Sequence, residues 1–245
     1  MKSTHLRLIV GALFVLAGAA TSAAPAYHFR LPAQGLSEAR APAEPTPVVK
    51  SSVGDGVSTA GACANGAASG CATWSVTGVP AGIIVAPDLL AVQGTSMGAT
   101  RGAIGKTSDK WYWEITLLAE AATAAPLIGV GTKSLSLANP FTAVPPTWSW
   151  YLNPNPGNAK VCGDWQGGSQ LATAGDVVGV ALDATAHSVT FYKNGSLVFT
   201  CSNVTAAEAV YPVFGAGGGS NRIKANFGQS NFQFAVPAGY NAGLW

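Results

Sequence analysis

The chain is 245 residues long, 48% hydrophobic and only 10% charged, with 30 glycines and 15 prolines. That charged fraction is less than half the roughly 25% of an average soluble domain, and with so many apolar residues it excludes the usual disordered class. A net charge of +2, from 13 basic and 11 acidic residues, gives no electrostatic footprint for nucleic acid, so no nucleic-acid partner is expected.

The first element reads as a secretory signal peptide over residues 1–26. Lys2, His5 and Arg7 make a short basic start, and residues 8–20 are an uninterrupted apolar run. As a helix that run is about 20 Å long at 1.5 Å per residue, too short for a hydrocarbon core of about 30 Å. Small residues follow, and Pro25 disfavours a cut directly before it, which points to cleavage after Ala23 or after Ala26. No later stretch is long and apolar enough to span a membrane. Residues 27–61 carry Pro32, Pro42, Pro45 and Pro47 without apolar periodicity and read as a tether of polyproline character. Residues 62–245 remain for the folded domain.

All four cysteines, Cys63, Cys71, Cys162 and Cys201, lie in that part. An even count in an oxidising compartment reads as two disulfides; four cysteines allow three connectivities, and proximity in sequence favours Cys63–Cys71 with Cys162–Cys201. The C-x7-C spacing and the lack of nearby histidine argue against zinc, and no metal or cofactor is expected. The expected compartment is secreted, periplasmic or cell-surface.

From about Thr73 the chain runs as short β-type stretches between Gly, Pro and Asn punctuation. In KWYWEITLL, from Lys110, the residues Trp111, Trp113, Ile115 and Leu117 alternate with Tyr112, Glu114 and Thr116, which predicts a strand with its tryptophan face in a core and Glu114 facing outward. LIGVG (127–131), DVVGVALD (176–183) and SVTFY (188–192) follow. Asn194-Gly195 between two apolar runs predicts a tight hairpin, since both central positions of a type I′ turn need positive φ. Residues 211–215 and 223–227 supply two more strands. Gly129 and Gly179 sit inside strands, where close approach of a neighbour is the expected reason. Many short strands without helical crossovers predict an all-β fold, an antiparallel two-sheet sandwich.

Taken in order, KWYWEI, LIGVG, GDVVGVALD, VTFYKNGSL, YPVF and NFG…FAVPAGY make the region from about Thr73 to Trp245 resemble a SPRY domain, a bent concanavalin-like sandwich, with Asp109 where the family usually has glycine. In tone it is similar to bacterial and phage members rather than to those of animal ubiquitin ligases. The resemblance implies a non-catalytic module that presents loops to a protein or peptide.

Chemistry points the same way. His187 is the one histidine of the folded region and is expected in an exposed turn, which leaves no Ser-His-Asp arrangement. No dense carboxylate pattern of a glycan hydrolase appears, and no calcium or phosphate loop. The longest connection, residues 134–173, is expected to contain at most two short strands. Its Tyr151, Asn153, Asn155, Trp165 and Gln166 mix aromatic area with amides, which is paratope chemistry. Trp148 and Trp150 share a face and are assigned to the core, leaving Tyr151 and Trp165 as the exposed aromatics. Arg101, Asn221 and Arg222 complete the candidate ligand-binding set. The leading expectation is an exported recognition module for a protein or peptide. A carbohydrate-binding protein or glycan-active enzyme on the same sandwich, and a structural part of a surface appendage or phage-like particle, stand as alternatives.

Overall fold

A computed structural model describes residues 63, 70–120, 126–141, 147–152, 159–162, 164–166, 172–204 and 208–245. The expected signal peptide and tether, and Asn153 and Asn155, lie outside the described residues. The strands, in chain order, are β1 (Ile83–Val85), β2 (Ala91–Gly94), β3 (Met97–Arg101), β4 (Lys110–Ala119), β5 (Pro126–Thr132), β6 (Thr147–Tyr151) and β7 (Ala159–Val161). They continue as β8 (Asp164–Gln166), β9 (Val177–Asp183), β10 (Ser188–Lys193), β11 (Ser196–Cys201), β12 (Val210–Gly217), β13 (Asn221–Asn226) and β14 (Asn241–Ala242). Among the described residues no helix forms, and none is long and apolar enough to cross a membrane.

The strands form two sheets. One runs β1-β2-β13-β4-β9-β10-β11 with β14 alongside β4, and the other runs β3-β12-β5-β6-β7-β8. Pairing is antiparallel except for the two-residue β14, which lies parallel to β4. The expected all-β sandwich is the observed one. Its core holds Trp74, Trp113, Trp148, Trp150, Phe191, Phe214 and Phe227, all at most 2% exposed. Trp150 meets Phe199 and Phe191 edge-on across the sandwich, so the two sheets interlock through aromatic rings.

Local chemistry explains several strand junctions. Asn194 and Gly195 have φ of 48° and 78°, the left-handed pair that a type I′ hairpin demands. The Asn194 side chain also accepts the Val177 N–H and donates to Asp176, which is paired with Lys193 at 2.9 Å. A Cβ on Gly129 would stand 2.4 Å from the Trp148 carbonyl oxygen, and one on Gly179 would stand 2.6 Å from the Tyr112 hydroxyl. Both glycines therefore mark the close approaches expected of them. Asp109 has φ of 66°, a left-handed conformation that glycine would adopt without a Cβ penalty. Disulfides join Cys63 to Cys71 and Cys162 to Cys201, with Cα atoms 5.1 and 5.5 Å apart.

Two expectations are corrected. The 134–173 connection contains three strands, β6, β7 and β8, because the segment after Tyr151 turns back twice and extends the six-stranded sheet. The outer face of β4 is also not open to solvent. Tyr112 and Glu114 are 1% and 2% exposed, because residues 232–234 fold back across them.

Candidate functional site

The six-stranded sheet turns Ile128, Val130, Trp148, Trp150, Phe214 and Ala216 into the main core. Its opposite face carries a second, small core of Ala99, Leu127, Leu135 and Val213. The residues after β5 supply the cover. Leu135 is buried there, a Cβ on Gly215 would meet Pro140 at 3.0 Å, and Phe141 stands edge-on to Tyr151 at 5.3 Å.

Where this cover leaves the sheet, at the ends of β3 and β5, it opens a cleft of about 230 Å³. Ser75, Thr77, Arg101, Lys133, Leu137 and Tyr211 line it. Arg101 is the last residue of β3, and its Nη1 donates to the carbonyl oxygens of Thr132, at 3.1 Å, and Lys133. Two backbone anchors hold the guanidinium, and Nη1 is the one nitrogen they use, so Nε and Nη2 have no partner among the described residues. Lys133 is exposed at the rim and makes no ion pair with any described residue. The cleft thus joins two cations to the Tyr211 ring, two hydroxyl-bearing side chains and an aliphatic wall. Such a surface suits an acidic or amide-bearing segment that also buries apolar area. The Ser75 hydroxyl accepts the Thr77 N–H at 3.1 Å, and no lining residue sets a hydroxyl against a histidine.

The candidate residues divide among three places. Arg101 lies in the cleft. Tyr151, Lys160 and Trp165 are successive partners on one cross-strand row that begins at Leu127, and Gln166 ends β8 opposite Ala159. The register therefore puts Tyr151 on the sheet face opposite Trp148 and Trp150. Tyr151 is half-buried by its packing on Phe141 rather than standing free. Asn221 is fully buried, and its Nδ2 donates to the Gly218 carbonyl at 2.9 Å, so it anchors the turn between β12 and β13 instead of meeting a ligand. Arg222 lies half-buried in the other sheet, between Gln93 and Ala119. Gly217 pairs with Met97 and Val213 with Arg101, so the Asn221 turn is four strand residues, about 14 Å, from Arg101. The set does not converge on one site.

Lys133 and Tyr211 were not singled out from sequence as binding residues. Tyr211 stands in a strand motif, and nothing local marks a strand residue whose ring faces a cleft built by a segment seventy residues earlier.

Residues 110–230 match the family model of the SPRY domain. In structure the chain is similar to the SPRY domain of human HERC1, with 21% identity, a TM-score of 0.52, and 64% of this chain and 99% of that one covered. It is also similar to the TRIM65 PSpry domain, with 14% identity, a TM-score of 0.51, and 64% and 92% covered. These likenesses are ones of fold. No curated protein matches the sequence.

Proposed function

Because residues 110–230 match the family model of the SPRY domain, a kind of module that typically mediates protein–protein interaction, we propose that this chain is an exported, non-catalytic recognition protein whose domain binds a peptide segment of a partner protein in the Arg101 cleft. The observation that carries the reading is the union in one cleft of a backbone-anchored Arg101, a Lys133 with no ion pair to any described residue, the Tyr211 ring and the Leu137 wall. Fixed donors that need no reordering on binding favour affinity, since little conformational entropy is left to lose. Export is supported by the basic-apolar-small order of residues 1–26 and by two disulfides, which persist in oxidising compartments.

The test is a binding measurement with the full chain on an array of synthetic peptides, in parallel with Arg101→Glu and Lys133→Glu variants. Binding of acidic peptides that both reversals weaken tenfold or more is the expected result. Retention of acidic peptides by both reversed-charge variants would overturn the assignment to this cleft. Binding to glycans in place of peptides would move the carbohydrate reading ahead.

A further inference from the structure

We propose that the Arg101 cleft takes the last residue of the bound peptide, with that residue's free α-carboxylate on the guanidinium and its apolar side chain against Leu137 and Tyr211. This rests on the peptide reading of the cleft and names the part of the peptide that it recognises.

The guanidinium keeps one whole edge unused. Arg101 Nη1 donates to the carbonyl oxygens of Thr132 and Lys133, and Nε and Nη2 have no partner among the described residues. Nε–H and one Nη2–H lie parallel in the fixed fork, and a carboxylate accepts both, one on each oxygen. Lys133 adds a second cation to the lining and makes no ion pair with any described residue. Among the described residues the lining holds no carboxylate. Glu208, which accepts the Ser134 N–H at 3.3 Å, is not part of it. The cleft thus supplies cationic donors and lacks the anion that would match them.

Its other half is apolar and equally fixed. Leu137 is half-buried, and its carbonyl accepts the Ala99 N–H at 2.8 Å, which ties it to β3 two residues from Arg101. Tyr211 lies two residues along β12 from Val213, the partner of Arg101, so Tyr211 and Arg101 share the outer face of the six-stranded sheet. Gly105 backs the Tyr211 ring so closely that a Cβ there would stand 2.7 Å from it.

Size decides what can use both halves. At about 230 Å³ the cleft is smaller than the roughly 300–1,000 Å³ that encloses a drug-sized ligand, so it has room for one residue of a peptide. An internal Asp or Glu would pair with Arg101 and leave Leu137 uncovered. An internal Leu or Val would cover Leu137 and desolvate the guanidinium without a partner, which is costly. A C-terminal apolar residue carries a carboxylate and an apolar side chain on one Cα, and so satisfies both.

The experiment measures binding of the full chain to Gly/Ser-framed synthetic peptides ending in Leu, each made as the free acid and as the carboxamide. A third set ends in Gly, and a fourth carries one internal Asp before an amidated end. The free acid ending in Leu is expected to bind tightest. Amidation should weaken it tenfold or more, and so should replacement of the terminal Leu by Gly. Arg101→Gln should erase the acid-over-amide preference, and Lys133→Met, at an exposed position, should narrow it. Leu137→Ser should erase the Leu-over-Gly preference and retain the preference for the acid. Unchanged thermal midpoints exclude misfolding, and Lys133→Met serves alone if the Arg101 variant unfolds. Equal binding of acid and amide, or an acid preference that neither cation variant reduces, would overturn this inference. If the internal Asp peptide binds in their place and Arg101→Gln weakens it, the Arg101 reading stands without the terminal carboxylate. Binding of none of these peptides would overturn both.

Discussion

The carboxylate of Glu114, in the middle of β4, accepts the backbone N–H of Phe234 at 2.9 Å and that of Gln233 at 2.8 Å. The Tyr112 hydroxyl donates to the same group at 3.1 Å. Three donors thus converge on one buried anion and staple the C-terminal segment across the larger sheet. In Glu114→Gln an amide N–H2 faces donors that require an acceptor. The variant is expected to lose about 1.5–3 kcal/mol of stability. Urea unfolding checks the magnitude, and faster amide exchange at Gln233 and Phe234 locates it.

Tyr112 gives the fold an alkaline limit. Burial, and then the Glu114 charge, push its hydroxyl well above the ordinary 10.0. In the unfolded chain this phenol ionises near pH 10, while in the folded chain it stays protonated. Its contribution is therefore complete below pH 10 and is lost as pH rises above that value. Urea midpoints measured from pH 8 to 12 should fall above pH 10, and Tyr112→Phe should flatten that fall. Equal slopes for the two proteins would refute the assignment.

The in-strand glycines separate two kinds of cost. Gly129→Ala places a Cβ against the Trp148 and Ser149 backbone at 2.4–2.5 Å, where only strand separation relieves the clash. A loss of about 3 kcal/mol, or failure to fold, is expected. Gly175→Ala meets nothing within 4 Å, and its φ of +95° alone penalises a side chain, so about 1 kcal/mol is expected. Thermal melts of the two variants rank them.

The disulfides should differ in weight as their loops do. Cys162–Cys201 spans 39 residues and Cys63–Cys71 spans 8. On the chain-entropy account, replacing the first pair by serine costs about 4 kcal/mol and the second roughly 2–3 kcal/mol. Denaturant midpoints of the two double variants test the order.

Much of this was present in local sequence. The close approaches at Gly129 and Gly179 involve Trp148 and Tyr112 from other strands, but the hairpin at Asn194-Gly195 and the tryptophan face of β4 each depend on neighbours in the chain or on a period of two. Steric and hydrogen-bond rules act within a few residues, so such features can be read directly. The alternation of β4 likewise determines that Glu114 and Tyr112 point away from the tryptophan core. It carries no information about what lies on that other side. Residues 232–234 decide that they are buried, and those residues arrive from more than a hundred positions away. The candidate site divides along the same line. The side-chain chemistry of Arg101 and Tyr151 is legible residue by residue. Only the strand order β3-β12-β5 brings Arg101 to Lys133 and Tyr211, and only the pairing of β13 with β2 and β4 turns Asn221 inward and sets Arg222 in the other sheet. Convergence of side chains depends on which strands become neighbours, and that choice is made by burial of the whole aromatic core rather than by any segment of it.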